Sequence, residues 1–318
     1  MKQESGFSLI ELMVAMSIGI VLIGGAIYVY DEARSTLNIN DTLARMQENA
    51  RWALDVIEPD IRLAGYWGRH TNGVTIDRRA GSANPLAVAV TGDCDTSWAI
   101  DVQVSLAASN NADPGLDCID AADHRAGTDT LQLRHASGRN FATAQLEAGR
   151  IYVRTHETGE GSLFAGAAEP PISDGQNNAL VAHVYHVRPY TIAGDSLPSL
   201  RRQGLTTVGG TPTMIDQEVI SGIEDLQVQF GIDRNDDGAV DRYVDPDNAV
   251  LATNPRIRAV RVWLRMRADR PEPGFNDTRT YTYADQQFTP AGAAANFRRL
   301  LVSRTIFLRN ESIREGEL

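Results

Sequence analysis

GFSLIELMVAMSIGIVLIGGAIYVY, residues 6–30, sets one carboxylate, Glu11, at the head of an apolar run. From Leu12 to Tyr30 no residue is charged, close to the ~20 residues that a helix needs to cross a hydrocarbon core. A cleavable secretory signal has a shorter apolar stretch, about 7–15 residues, with small residues after it. Here the small residue, Gly6, comes first, so a cut there leaves the span on the mature chain. Glu11 is the anomaly. An ionisable group in a span is costly and usually pairs or serves a function.

Downstream the pattern turns amphipathic with no turn signal in between. Leu37, Leu43, Met46, Ala50, Ala53, Leu54, Ile57, Ile61 and Ala64 recur mostly at spacings of three and four. Asp41, Arg45, Glu48, Arg51, Asp55 and Arg62 stand between them. That is one apolar stripe on a helix. Pro59 is a place for a kink, since proline removes an intrahelical donor, and Gly65 is a natural stop. The expectation is a single helix from about residue 7 to 64. Residues 7–30 form its transmembrane half and 31–64 its amphipathic half, packed on a head domain of residues 65–318.

The head reads as β-rich. Residues 66–127 hold few periodic runs beyond LAVAV and WAIDVQVSL. Later segments read as strands separated by turns: DTLQLRHA, GRIYVRT, ALVAHVYHVRPY, SLRRQ, IEDLQVQFGID, IRAVRVWLRMRA, TRTYTYAD and RRLLVSRTIFLRN. Leu226, Val228 and Phe230 alternate with Gln227 and Gln229. Val260, Val262, Leu264 and Met266 alternate with Arg261, Arg265 and Arg267, with Trp263 the exception on the polar side. Period two marks a half-buried strand. The fold class is α+β, a long helix on a mostly antiparallel sheet.

Composition narrows the function classes. A hydrophobic share of 42% over 318 residues allows a real core. A formal charge of −11 argues against a nucleic-acid partner, because neutralising phosphates takes Lys and Arg clusters. The two cysteines, Cys94 and Cys118, lie in a Gly/Asp/Asn-rich stretch. Even count, close spacing and an exported chain favour a disulfide over two unrelated thiols. Such a link is worth about 3–4 kcal/mol in the chain-entropy picture.

No catalytic residue emerges. G-x-S-x-G, a P-loop and a strand–helix G-x-G-x-x-G are all missing from the sequence. His183 and His186 are three apart on an expected strand and so point to opposite faces. They read as ordinary sheet histidines, and the chain reads as no enzyme, with a membrane-anchored hydrolase the distant alternative. One further motif stands out, Asp233-Arg-Asn235-Asp-Asp237-Gly238-Ala239-Val-Asp241. Its spacing matches the first nine positions of a calcium loop, with Ala239 offering a carbonyl and Gly238 the sharp turn. The bidentate Glu at the twelfth position is replaced by Val244. Calcium is therefore the one cofactor expected, against an Asx-rich hairpin turn.

Gly6-Phe7-Ser8-Leu9-Ile10-Glu11, ahead of an uncharged span, resembles the processing site of type IV prepilins and type II secretion pseudopilins. The resemblance implies a prepilin peptidase that cuts between Gly6 and Phe7 and removes residues 1–6 as a leader. It also implies N-methylation of Phe7, and a Glu11 that faces the N-terminal amine of a neighbouring subunit. Lys2 fits the leader; Glu4 departs from its positive balance. DIRLAGYWG, RAVRVWLRMRADRP, YTY and RRLLVSRTIFLRN resemble, more loosely but in order, the PilW minor pilins. This implies a single-pass inner-membrane prepilin with a periplasmic head that helps start type IV pilus assembly. Its partners are other minor pilins and the assembly platform, and after assembly it resides in the pilus, tip and shaft both open. The alternative is a type II secretion pseudopilin of the GspJ kind.

Overall fold

The computed structural model of this protein describes residues 8–310. The chain divides into two compact units, Met1–Gln47 and Glu48–Leu318, and the division falls inside the one long helix, α1, Leu9–Leu63.

In the first unit α1 starts on a local cap. Ser8 Oγ accepts from the Ile10 N–H at 3.3 Å, and Glu11 Oε2 accepts from the Ser8 N–H at 2.9 Å. This reciprocal pair satisfies donors that the first turn otherwise orphans. Large apolar side chains from Leu9 to Tyr30 are exposed, Leu9 at 78% and Val21 at 73%. The helix is long and apolar enough to cross a membrane, and nothing in its most apolar window is buried among the described residues. Such a stretch finds its stabilisation in lipid or in another chain.

In the second unit the helix behaves as a core element. Ala50, Ala53, Leu54, Ile57, Ile61 and Ala64 are buried, as the stripe requires. The helix continues through Pro59 to Leu63 and ends at Gly65, whose φ of 74° is the left-handed conformation glycine adopts without strain.

Among the described residues fourteen strands follow: β1 Ile76–Asp77, β2 Leu106–Ser109, β3 Thr130–Asn140, β4 Ile151–Thr155, β5 Gly161–Ala165, β6 Gln176–Arg188, β7 Ser199–Val208, β8 Thr211–Ser221, β9 Ile223–Asp233, β10 Arg242–Val244, β11 Arg256–Arg267, β12 Tyr281–Tyr283, β13 Gln286–Phe288 and β14 Arg299–Phe307. Eight of them form the larger sheet, in order β1-β5-β4-β6-β3-β2, with β7 on β6 and β8 on β7. The smaller sheet runs β10-β9-β11-β14, and β12 and β13 form a separate hairpin. Among the strand pairs of the described residues only the short β1–β5 pair is parallel, and an isolated parallel bridge joins Thr91 to Thr213 of β8.

The irregular stretch after the helix is no loose loop. Trp67, Ile76, Leu86, Ile100 and Val102 pack on Ala136, Ile151, Val153, Leu163 and Leu180 of the larger sheet. Cys94, Trp98, Ala99 and Ile119 pack on Ala182, Val184 and Met214. LAVAV forms no strand, and WAI is a short 3-10 turn over Trp98–Ile100. Burial of side chains of this size contributes about 1.5–3 kcal/mol each, so this covering layer is a second core.

Two strand readings need correction. Gln227 and Arg265, placed on the polar side by alternation, are 0% and 5% exposed. The smaller sheet is covered on that face as well. Gln227 donates to Gly127 O at 3.1 Å, and Arg265 donates to the Tyr283 hydroxyl of β12. Period two therefore marks the two faces without saying that one is wet.

Candidate functional site

Glu11 stands on the first turn of an exposed apolar helix, where it caps Ser8. A carboxylate near a helix N-terminus is also favoured by the helix dipole. Gly6 and Phe7, the expected cleavage and methylation site, lie outside the described residues. What the geometry gives at this end is a negatively charged turn at the start of an apolar rod. Such a turn can receive a cation from another chain at the cost of its own Ser8 bond.

Cys94 and Cys118 form the expected disulfide, 24 residues apart in sequence. Cys94 is fully buried beside Trp98 and Ala99, and Asp117 N–H donates to its carbonyl at 2.8 Å. The link ties the covering layer together over the larger sheet.

The Asp233–Asp241 loop closes on itself. Asp233 Oδ2 accepts from Gly238 N–H at 2.9 Å and from the Arg258 guanidinium, whose Nε and Nη2 each lie at 2.9 Å. Burial opposes its ionisation, yet these donors hold the Asp233 carboxyl below its ordinary value. Asp237 Oδ1 accepts from Ala239 N–H at 2.8 Å, and Asp241 Oδ2 from Arg234 N–H at 2.7 Å. Asn235 Nδ2 donates to Asp237 Oδ2 at 3.1 Å. These are the bonds of an Asx-rich turn. Among the described residues no three His, Cys, Asp or Glu side chains are grouped so as to hold a metal ion. Asp233 Oδ1 is buried without a hydrogen-bond partner.

His183 and His186 point to opposite faces of β6 and do different things. His186 is 1% exposed, and burial pushes its pKa down to about 4, with the charges of Asp216, His124, Arg201 and Asp123 acting in both directions. His183 meets a group that the sequence reading passed over. Asp60 of α1 accepts from His183 Nδ1 and from the Tyr185 hydroxyl, each at 2.6 Å, and faces His135 Nε2 at 3.4 Å. Burial alone raises the Asp60 pKa, but bonds from His135 and His183 hold it well below the carboxylate range. One signal was available, since Asp60 falls on the apolar stripe, three residues after Ile57 and four before Ala64.

A second buried network lies under the smaller sheet. Glu224, 3% exposed, takes Arg299 Nε at 2.7 Å, Arg265 Nε at 3.2 Å and Arg125 Nη2 at 3.6 Å. Burial opposes its charge, and these arginines hold its pKa below the ordinary value. Asp129 is the opposite case. It accepts from Asn111 N–H at 2.9 Å and Val228 N–H at 2.7 Å, yet burial pushes it up to about 7, with Asp225 and Asp285 adding to the rise. Both networks fasten elements together.

The family described as Type IV Pilus-assembly protein W matches residues 184–310, from the end of β6 to β14. The Prokaryotic N-terminal methylation motif matches residues 1–27. A comparison with curated proteins gives no match. Among solved structures, a type IV-like pilin from Thermus thermophilus aligns with 13% identity and a TM-score of 0.38, over 85% of this chain and 98% of that one. The methylation motif together with the long apolar helix suggests membrane anchoring.

Proposed function

We propose that this chain, a PilW-like minor pilin of the type IV pilus, takes part in starting pilus assembly, inserted among other minor pilins through its N-terminal helix. The observation that carries the proposal is the exposed apolar helix with a carboxylate on its first turn. That surface is not buried among the described residues, and Glu11 offers a neighbour's N-terminal amine an opposite charge in a setting of low dielectric. A charge left alone there is strongly disfavoured, so the pairing would fix the register of one helix against the next. Prepilin peptidase would cut at Gly6 and expose a methylated Phe7. The head would lie in the periplasm, where the Cys94–Cys118 bond persists. The family match supports a structural role. The PilW match supports a pilus over a secretion pseudopilin.

Two experiments test this reading. Loss of the chain from cells that make pili should lower surface piliation, and re-expression should restore it; unchanged piliation contradicts the role. Mass spectrometry of membrane-extracted protein should show methylated Phe7 as the terminal residue, and an intact Met1 contradicts the processing.

Calcium at Asp233, Asn235, Asp237, Asp241 and the Ala239 carbonyl is a separate proposal. It requires Asp233 Oδ2 to exchange Arg258 for the ion, and the unpartnered Asp233 Oδ1 is the oxygen with most to gain. Without a bidentate Glu the expected affinity is weak, about 10⁻⁴ to 10⁻³ M. A head melting temperature indifferent to millimolar calcium and to chelator would leave the loop as a turn alone.

A further inference from the structure

One edge of β6 is shared by two strands laid end to end. Residues 176–179 pair with β4, and residues 183–188 pair with β7. Between them Leu180, Val181 and Ala182 find a strand partner only in β3, among the described residues. The turn from β7 into β8 crosses the chain just ahead of β4. It passes so closely that a Cβ on Gly149 would lie 1.8 Å from the Gly210 carbonyl oxygen. The seam between β4 and β7 stays open as a cavity of about 300 Å³.

Leu180 and Leu205 give this cavity apolar walls, and Thr206 and Thr207 give it hydroxyls. Glu147 and Arg150, 3.4 Å apart, offset each other's charge on its more exposed side. His183 also lines it, and spends its Nδ1–H on Asp60 Oδ2 at 2.6 Å. Burial pushes the His183 pKa down, against the pull of Asp60. The ring is therefore neutral, and Nε2 carries a lone pair. Among the described residues no group donates to it. Gly204 lies over that edge of the ring, where a Cβ would stand 3.4 Å from Nε2. The absent side chain leaves the edge open. A lone pair on a side chain only 14% exposed is costly to leave unmet.

We propose that this seam cavity binds a single neutral sugar ring, one of whose hydroxyls donates to His183 Nε2.

The lining chemistry selects that class. Nε2 can only accept, so the ligand must bring a donor. The hydroxyls of Thr206 and Thr207 donate or accept, which suits ligand groups that do both. Glu147 and Arg150 cancel, and Asp60 already takes two donors, so no unmatched charge calls for an ion. Leu180 and Leu205 call for carbon surface beside the hydroxyls. A pyranose carries hydroxyls around its rim and C–H groups on its faces. The volume lies at the lower end of small-molecule sites, about 300–1,000 Å³, which fits one ring better than a chain of them. Asp60 is a positioning residue here, since by taking the Nδ1 proton it fixes the tautomer of His183.

The test uses the full chain with ring-¹⁵N histidine in a detergent without a sugar headgroup. Glucose, galactose, mannose and N-acetylglucosamine are added singly, with acetate and methylammonium as charged controls. At least one sugar should shift the His183 Nε2 signal with millimolar affinity and leave the Nδ1 proton in place. Gly204→Ala crowds the Nε2 edge, and Thr206→Val removes a hydroxyl. Each should weaken binding about three- to tenfold, the worth of one hydrogen bond. Val208→Ala, at an exposed position, should bind as wild type does. No shift with any of these sugars, an equal shift with either charged control, or full-strength binding in both cavity variants overturns the assignment. If the cavity variants fail to fold, the nitrogen signals of the wild-type chain decide the matter alone.

Discussion

The helix before Gln47 and the head from Glu48 onward treat charge in opposite ways. Between Leu12 and Tyr30 the helix has no charge and shows its apolar side chains to the outside. The head buries Glu224, Asp225, Asp129, Asp233, Arg134, Arg265 and Arg299, each at 5% exposure or less. Its buried charges find partners among its own strands and loops. Arg134, for example, donates to Trp98 O at 2.8 Å and lies 3.9 Å over the Trp98 ring. The most apolar window of the helix is not buried among the described residues. One region buries its charges, and the other leaves its apolar side chains exposed.

That contrast breaks most visibly at Glu224. Truncation to alanine strands Arg299 without its carboxylate and leaves Arg265 to Asp225 at 3.3 Å, and removing one partner of a buried pair costs about 3–5 kcal/mol. Denaturant unfolding of the full chain in detergent should show a loss of that size in the head transition. A change under about 1 kcal/mol, the range of an exposed pair, would mean that water reaches the network.

Cys94→Ser comes next. Opening a loop of this span restores entropy to the unfolded chain worth about 3–4 kcal/mol. The covering layer should become the first site of proteolysis, and a cleavage pattern identical to wild type would show that packing alone holds it.

The pH dependence of the head follows from His186. Its folded pKa, about 4, is depressed below the unfolded value near 6.5. From neutral pH down to 4 the unfolded chain therefore binds a proton that the folded chain refuses, and stability is lost as pH falls. The integrated effect is roughly 3 kcal/mol at about 1.4 kcal/mol per pKa unit. Asp129, pushed up to about 7, has the reverse sign, losing its contribution as pH rises from 4 toward 7. The wild-type curve blends the two slopes, so the difference between wild type and His186→Leu is the informative quantity. It should change by roughly 3 kcal/mol between pH 7 and pH 4, and a constant difference would remove the histidine from the account.

The smallest effect is expected in the helix. Ile20 is 68% exposed. Ile20→Ala should leave the head transition within about 0.5 kcal/mol of wild type. A larger shift would join the two regions energetically and blur the comparison.

How far the sequence could be read follows the same division. The helix, its stop at Gly65 and the Cys94–Cys118 pair were legible because periodicity, glycine and cysteine spacing are local signals. β5 and β8 were missed. β8 reads TPTMIDQEVIS, with weak alternation and a proline, and its one strand partner among the described residues is β7. The Asp60 site escaped because its partners are 75 and 123 residues away, a distance no spacing rule spans. Arg265 was misread because a period of two cannot show that β12 folds back over the sheet's second face.

The central claim is that the helix start serves assembly and the head's own stability does not depend on it. The most direct measurement compares wild type with Glu11→Ala in full chains extracted from cells, by the amount of partner pilin that co-purifies. The account predicts that the variant inserts, keeps the head transition of wild type and loses most of the partner. Full recovery of the partner with Glu11→Ala would contradict it.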